Sequence, residues 1–207
     1  MKYIDITRTV TAGMAVWDGD TPFNLEQQLS LAKGDSVNLT TLTVSAHMGT
    51  HVDAPSHFDL NGRTMEQVPL DVYWGPAQVV TVAKTAGPLT PADFNHVDLS
   101  LAPRLLVNSH HAERDQTIFH HDFVYPSPEL ADYLAQHGVV LYGADAPSMD
   151  AADDPTLLGH HALLRNGIYI LEGLDLRQAA DGVYEFVAFP LKIAGGDGSP
   201  VRAVLRY

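Results

Sequence analysis

The chain has 207 residues, of which 45% are hydrophobic, enough to bury one sizeable core, and this favours a single domain over residues 1–207. It contains no cysteine, so disulfides, zinc fingers and iron–sulfur clusters are excluded, and any metal must be held by imidazole nitrogen and carboxylate oxygen. A formal charge of −13 would repel nucleic acid and anionic membranes.

The start of the chain shows no basic and apolar run of the secretory type, and no stretch of about 18 apolar residues could span a bilayer. We therefore expect a cytoplasmic protein with neither a membrane nor a nucleic-acid partner.

Short runs rich in Val, Ile, Leu, Thr and Tyr predict strands, and the first two cover residues 2–7 and 39–45. Pro and Gly occur throughout the chain, so long irregular connections are expected between the strands.

Directly after the second predicted strand, four side chains that can bind a metal fall within eleven positions, namely His47, His51, Asp53 and His57. Gly49 and Pro55 disfavour a helix, so we interpret the segment as a strand end that runs into a loop. In an extended chain His51 and Asp53 share a face, and Gly49 lets the backbone turn so that His47 joins them. A lone histidine is usually solvated or hydrogen-bonded, whereas four ligands on one loop indicate a metal site.

The middle of the chain contains predicted strands at residues 77–82 and 104–108. Two histidine pairs follow, His110 with His111 and His120 with His121, and charged residues lie between them. We interpret residues 110–121 as a surface loop.

Residues 128–137 form the clearest predicted helix, because Ser127 can cap its start, Pro128 suits the first position and Gly138 can end it. A predicted strand follows at residues 139–144. This strand, helix, strand order is typical of α/β folds, and we expect a mixed sheet.

The last predicted strand, residues 168–171, leads directly into Glu172. Burying an unpaired carboxylate is costly, so Glu172 requires either a cation or an exposed strand end, and the residues alone leave both open. His160 and His161 lie upstream. Neighbours in extended chain point in opposite directions, so we expect at most one of them to be a ligand.

Convergence of the first three ligands with Glu172 and one of these histidines would give five protein ligands. That is too many for one tetrahedral ion with an open position, so two ions bridged by carboxylates are expected. Water held between two such ions would be acidic enough to supply hydroxide near neutral pH. His57 is then free to move protons.

The segment 45–57 resembles the signature of the metal-dependent cyclase-like family, and in particular its formamidase branch. Further landmarks match in the same order, at residues 17–23, 67–73, 143–150, 160–162, 170–173, 191–192 and 199–206. The resemblance covers nearly the whole chain, although residues 110–121 match the family poorly.

This resemblance implies an α/β fold of the swivelling β/β/α type with a mixed sheet and few helices, and a homodimer. It implies two divalent ions, with zinc expected and manganese also suited to the ligands. The implied ligands are His47, His51 and Asp53 for one ion and Asp53, His160 and Glu172 for the other, with Asp53 and Glu172 shared. The family's acid/base role would fall to His57, and Trp17 would face an aromatic substrate.

The implied activity is hydrolysis of N-formyl-L-kynurenine, a small aryl formamide, to L-kynurenine and formate. Activated water would attack the formyl carbon while His57 protonates the departing aniline nitrogen. Hydrolysis of another aryl or cyclic amide such as isatin, or of a lactone, remains an alternative. So does a metal-sequestering protein, whose closed site would have little use for His57.

Overall fold

The computed structural model describes residues 2–207 and contains thirteen β-strands and two α-helices in that range. The strands are β1 (Tyr3–Asp5), β2 (Asn24–Leu29), β3 (Leu39–Thr43), β4 (His51–Asp53), β5 (Trp74–Thr81), β6 (Gly87–Leu89), β7 (Arg104–Asn108), β8 (Val124–Pro126), β9 (Leu141–Ala144), β10 (Tyr169–Glu172), β11 (Gly182–Val187), β12 (Gly198–Pro200) and β13 (Val204–Arg206). The helices are α1 (Pro128–Gln136) and α2 (Leu158–Arg165).

Nine of these strands form one mixed sheet in the order β1-β13-β11-β5-β7-β9-β10-β4-β12. The central neighbours β5, β7, β9 and β10 run parallel, and the flanking pairs are antiparallel. β2 and β3 form a separate hairpin, and β6 pairs with β8. The predicted α/β class with a mixed sheet and few helices is confirmed.

Apolar side chains cover both faces of the sheet, as the continuous hydrophobic runs of its parallel strands require. Along β7, Leu105 and Val107 enter the core beneath α1 and α2, whereas Leu106 enters the core on the opposite face. The central strands are therefore packed on both faces. Their sheet includes β4 and β10, which carry side chains of the candidate site.

All six predicted strands are present, with ends that differ from the predicted ones by up to three residues. The predicted helix 128–137 is observed as α1. Its Ser127 Oγ accepts a hydrogen bond from the backbone N–H of Leu130 at 3.2 Å, and Gly138 follows with a left-handed φ of 78°.

The treatment of His160 and His161 as extended chain was wrong, because both lie in α2. No cap stands next to this helix in sequence, and Leu157 before it is left-handed at φ 50°. The cap comes instead from Asp150, whose carboxylate accepts the backbone N–H groups of Gly159 and His160 at 2.5 and 3.1 Å. A cap this far upstream leaves no local sequence signal.

Within residues 2–207, none of the helices combines the length and apolar character needed to cross a lipid bilayer.

Candidate metal centre

His51 and Asp53 stand at the two ends of β4, a short strand between β10 and β12. Residues two apart on a strand share a face, and His51 Nε2 lies 3.5 Å from Asp53 Oδ1. Both side chains are buried. The predicted pairing of these two residues is therefore present in the structure.

The turn before β4 brings in His47. Gly49 has a left-handed φ of 67°, which reverses the chain and places His47 Nδ1 3.0 Å from Asp53 Oδ1. Strand β12 closes the other side, where a Cβ added to Gly198 would approach the His47 ring to 2.7 Å. The glycine at position 198 thus leaves room for the imidazole.

Glu172, the last residue of β10, extends its side chain towards His51. Its side chain is buried, so the exposed strand end considered from sequence is wrong. Glu172 Oε2 lies 3.4 Å from His51 Nε2, while Oε1 forms no hydrogen bond to any described residue although it lies 3.5 Å from His160 Nε2.

His160 completes the group from α2, with Nε2 3.6 Å from Asp53 Oδ2. Asp150 Oδ2 lies 2.6 Å from the other ring nitrogen, Nδ1, which directs Nε2 towards the cluster. A carboxylate behind a histidine in this way fixes the tautomer that ligates a metal. His161 is exposed and lies outside the group, so the structure separates the two histidines.

These donor atoms fit a divalent cation. Ligands on a tetrahedral ion with bonds of about 2.0–2.2 Å stand roughly 3.4 Å apart, and the observed separations run from 3.0 to 3.6 Å. Two triads have ligand atoms within 4.8 Å of one another, namely His51, Asp53 and Glu172, and His47, Asp53 and His57. Asp53 belongs to both, which suits a bridging carboxylate.

The electrostatics of the cluster also favour a cation. Burial alone would lower the pKa of His51, but hydrogen bonds to Asp53 and Glu172 outweigh it and raise that pKa to about 10. Burial would raise the pKa of Asp53, yet hydrogen bonds from His160, His47 and His51 hold it well below its usual range. Protons thus balance the carboxylates without a metal, and a divalent ion would displace them.

His57 lies at the edge of the cluster in a short 3₁₀ helix, Pro55–His57. Its ring stacks on that of His47 at 4.0 Å, and its Nδ1 lies 3.4 Å from Asp197 Oδ2. The same Asp197 oxygen lies 3.3 Å from His47 Nε2. Sequence reasoning did not identify Asp197 or Asp150.

A cleft of about 390 Å³ opens on the cluster, and Trp17, His57, His160 and Glu172 are among its lining residues. Trp17 packs against Phe119, with ring centroids 4.6 Å apart. A smaller recess of about 60 Å³ adjoins the cleft, and Trp17, His47 and His51 line both.

Residues 110–121 do not all form the predicted surface loop. His110 and His121 are exposed, but His111 is buried and lines the recess together with His120. The buried carboxylate of Asp145 causes this, because it accepts hydrogen bonds from the backbone N–H groups of Ser109 and His111 at 3.0 and 2.8 Å. Those bonds draw the start of the loop inward.

The sequence and the fold of this chain are similar to those of known proteins. The family model described as "Putative cyclase" matches residues 4–151. Proteins named kynurenine formamidase from Bacillus cereus and Geobacillus thermodenitrificans are 39% and 41% identical to this chain, over 206 and 204 residues. Each alignment covers 99% of this chain and 97% of the relative.

Solved structures show the same fold. One described as a "predicted metal-dependent hydrolase" from Bacillus stearothermophilus superposes with a TM-score of 0.83 at 29% identity, covering 99% of this chain and 97% of the other. Isatin hydrolase A from Labrenzia aggregata superposes with a TM-score of 0.82, covering 99% and 93% of the two chains. At 23% identity it shows the fold alone.

Proposed function

The chain belongs to the cyclase family, and on this premise we propose that it is a metal-dependent hydrolase that converts N-formyl-L-kynurenine to L-kynurenine and formate. The observation that carries the proposal is a connected cluster of three histidines and two carboxylates beside an open cleft, namely His47, His51, His160, Asp53 and Glu172. The relatives named kynurenine formamidase match this chain along almost its whole length, which supports the choice of an aryl formamide.

The proposed resident group is a pair of divalent ions, with zinc expected and manganese also compatible with nitrogen and oxygen ligands. His47, His51 and Asp53 would hold one ion, and Asp53, His160 and Glu172 the other, with both carboxylates shared. A bound pair supplies activated water and an electrophile for the formyl oxygen. This division is supported by the position of Asp53 between His47 and His160.

His57 is proposed to carry the proton that the leaving group needs. Aniline nitrogen departs more easily once protonated, and imidazole is suited to such a transfer near neutral pH. The position of Asp197 beside His57 Nδ1 supports this role, because it leaves Nε2 free to meet the substrate. His57 also stands close enough to His47 and Asp53 to bind a metal, and metal content distinguishes the two roles.

Trp17 is proposed to contact the aromatic ring of the substrate. It lines the same cleft as His57, His160 and Glu172, and its indole ring packs on Phe119 with ring centroids 4.6 Å apart. The cleft is of the size usual for small-molecule sites.

A homodimer is part of the proposal, and it is supported by the hairpin formed by β2 and β3. This hairpin stands apart from the large sheet and exposes apolar side chains, among them Leu25, Leu39 and Leu42 at 55%, 52% and 60%. Apolar exposure on one projecting hairpin is typical of a subunit contact. A cytoplasmic location also stays a prediction.

A substrate panel tests the proposed function. Metal-replete protein is assayed with N-formyl-L-kynurenine, formanilide and isatin, and we expect the highest kcat/KM for N-formyl-L-kynurenine. Preference for isatin would support the cyclic-amide alternative. Turnover of none of the three, with the metal bound, would support a sequestering protein.

A further inference from the structure

The small recess beside the candidate metal centre is lined by one positively charged side chain, that of Arg8. Arg8 is the sole arginine or lysine among the described residues that line either the recess or the cleft. With a formal charge of −13 for the whole chain, a carboxylate group on a substrate depends on such a local cation for attraction. The position of Arg8 therefore bears on which substrates the cleft accepts.

Neutral groups hold the guanidinium of Arg8. Its Nη1 donates to Gln116 Oε1 at 2.5 Å, Nη2 donates to the backbone carbonyl of Asp145, and Nε lies 3.5 Å from the carbonyl of Leu174. Among residues 2–207, none offers a carboxylate oxygen within 4.0 Å of it, although Asp145 and Asp175 act on it from further away. Burial lowers the pKa of Arg8 to about 10, so it remains cationic at neutral pH.

His111 lies in the wall of the same recess with an unused polar atom. Its side chain is buried, and Nδ1 has no hydrogen-bond partner among the described residues. Burial, together with the charges of Arg8 and Arg114, lowers the pKa of His111 to about 4, so the ring is neutral at pH 7. A buried polar atom without a partner is costly, and this one belongs to a side chain that lines the recess.

The recess and the cleft are joined through Trp17, the residue proposed to contact the aromatic ring, and through Asp20. Asp20 forms no ion pair within residues 2–207, and its Oδ1 accepts only the backbone N–H of Thr21, at 2.7 Å. The recess thus offers a carboxylate as well as a cation among its lining residues, a pair of charges that complements an α-amino acid group.

We propose that this recess recognises the amino-acid end of the substrate, with Arg8 and His111 receiving the α-carboxylate and Asp20 facing the α-ammonium. The inference rests on the proposed function and extends it, because it explains how the site would prefer formylkynurenine to simpler aryl formamides. The volume of the recess, about 60 Å³, is sufficient for a carboxylate group.

Two substrates that differ only in the amino-acid group test the proposal, N-formyl-L-kynurenine and N-(2-acetylphenyl)formamide. We expect Arg8→Met to lower the ratio of their kcat/KM values, formylkynurenine over the acetyl compound, by about 10- to 100-fold. The ratio is insensitive to the fraction of folded enzyme. Arg202→Met removes an exposed arginine as the control and should keep the wild-type ratio.

An equal loss for both substrates would overturn the proposal and leave Arg8 as a structural clamp. A free carboxylate could use the same chemistry, so formate inhibition is measured in parallel. Weaker formate inhibition in Arg8→Met with an unchanged ratio would assign the recess to the product and also overturn the proposal.

A binding measurement separates this inference from the proposed activity. L-Kynurenine and 2-aminoacetophenone are titrated into metal-replete protein, and we expect tighter binding of L-kynurenine that Arg8→Met abolishes. That result would support the recess even in a protein that hydrolyses neither formamide. Equal affinity of the two compounds for wild-type protein would contradict it.

Discussion

Glu172 and His51 lie directly opposite each other in the antiparallel pairing of β10 with β4. Cross-strand partners project from the same face of a sheet, so the register of these two strands brings their side chains to 3.4 Å. Part of the candidate site is therefore set by the large sheet and not by the turn that carries His47 or the 3₁₀ helix that carries His57.

Replacing Glu172 with Gln tests its assignment as a ligand. The variant keeps the shape of the side chain but loses the charge that balances a divalent ion, so we expect metal content per subunit to fall while the fold is retained. Elemental analysis and circular dichroism measure these properties. Glu129→Gln, an exposed carboxylate on α1, is the control. Full metal content in the Glu172 variant would remove it from the ligand set.

His57→Ala tests the proposed proton carrier. Loss of a general acid typically costs about 10²- to 10⁴-fold in rate, so we expect kcat to fall by that order with the metal content unchanged. His96→Ala removes an exposed histidine and should behave as wild type. If metal and activity disappear together, His57 is a ligand and the proton carrier lies elsewhere.

Asp150→Asn tests how His160 is oriented. The carboxylate fixes the ring through Nδ1 and also caps α2, so we expect the metal affinity to fall by about 10- to 100-fold. Competition with a chelator of known affinity measures the change. Asp153→Asn, at an exposed position nearby, provides the control. Wild-type affinity in Asp150→Asn would show that the orientation of the ring does not require a negative charge at Nδ1.

The burial of His111 predicts a specific dependence of stability on pH. Its pKa is lowered to about 4 in the folded state, against the ordinary value of 6.5 for a histidine side chain, so protonation favours the unfolded chain. The contribution of His111 is fully present above pH 6.5 and is lost as the pH falls towards 4.

We therefore expect metal-free wild-type protein to lose stability relative to metal-free His111→Phe between pH 6.5 and 4, with a constant difference above pH 7. Denaturant unfolding of both proteins across this range measures the free energies. A difference that does not change with pH would mean that His111 is accessible to protons in the folded state.

Local patterns accounted for the parts of the structure that local interactions determine. Helix α1 was predictable because Ser127, Pro128 and Gly138 mark its two ends. The proximity of His51 and Asp53 was predictable because strand periodicity places them on one face. The same reasoning anticipated the turn at Gly49.

Contacts between residues that lie far apart in the sequence could not be predicted from local patterns. Helix α2 depends on a cap from Asp150, and the inward course of the 110–121 loop depends on the buried Asp145. Asp197 meets His57 only because β12 pairs with β4. None of these contacts has a signature in the residues next to it.

Hydrolysis of N-formyl-L-kynurenine by protein stripped of metal and then restored tests the central claim most directly. We predict that chelation abolishes formation of L-kynurenine and formate, and that zinc or manganese restores it in proportion to the metal bound, up to two ions per subunit. Unchanged activity in the metal-free protein, or no activity after both ions are bound, would contradict the account.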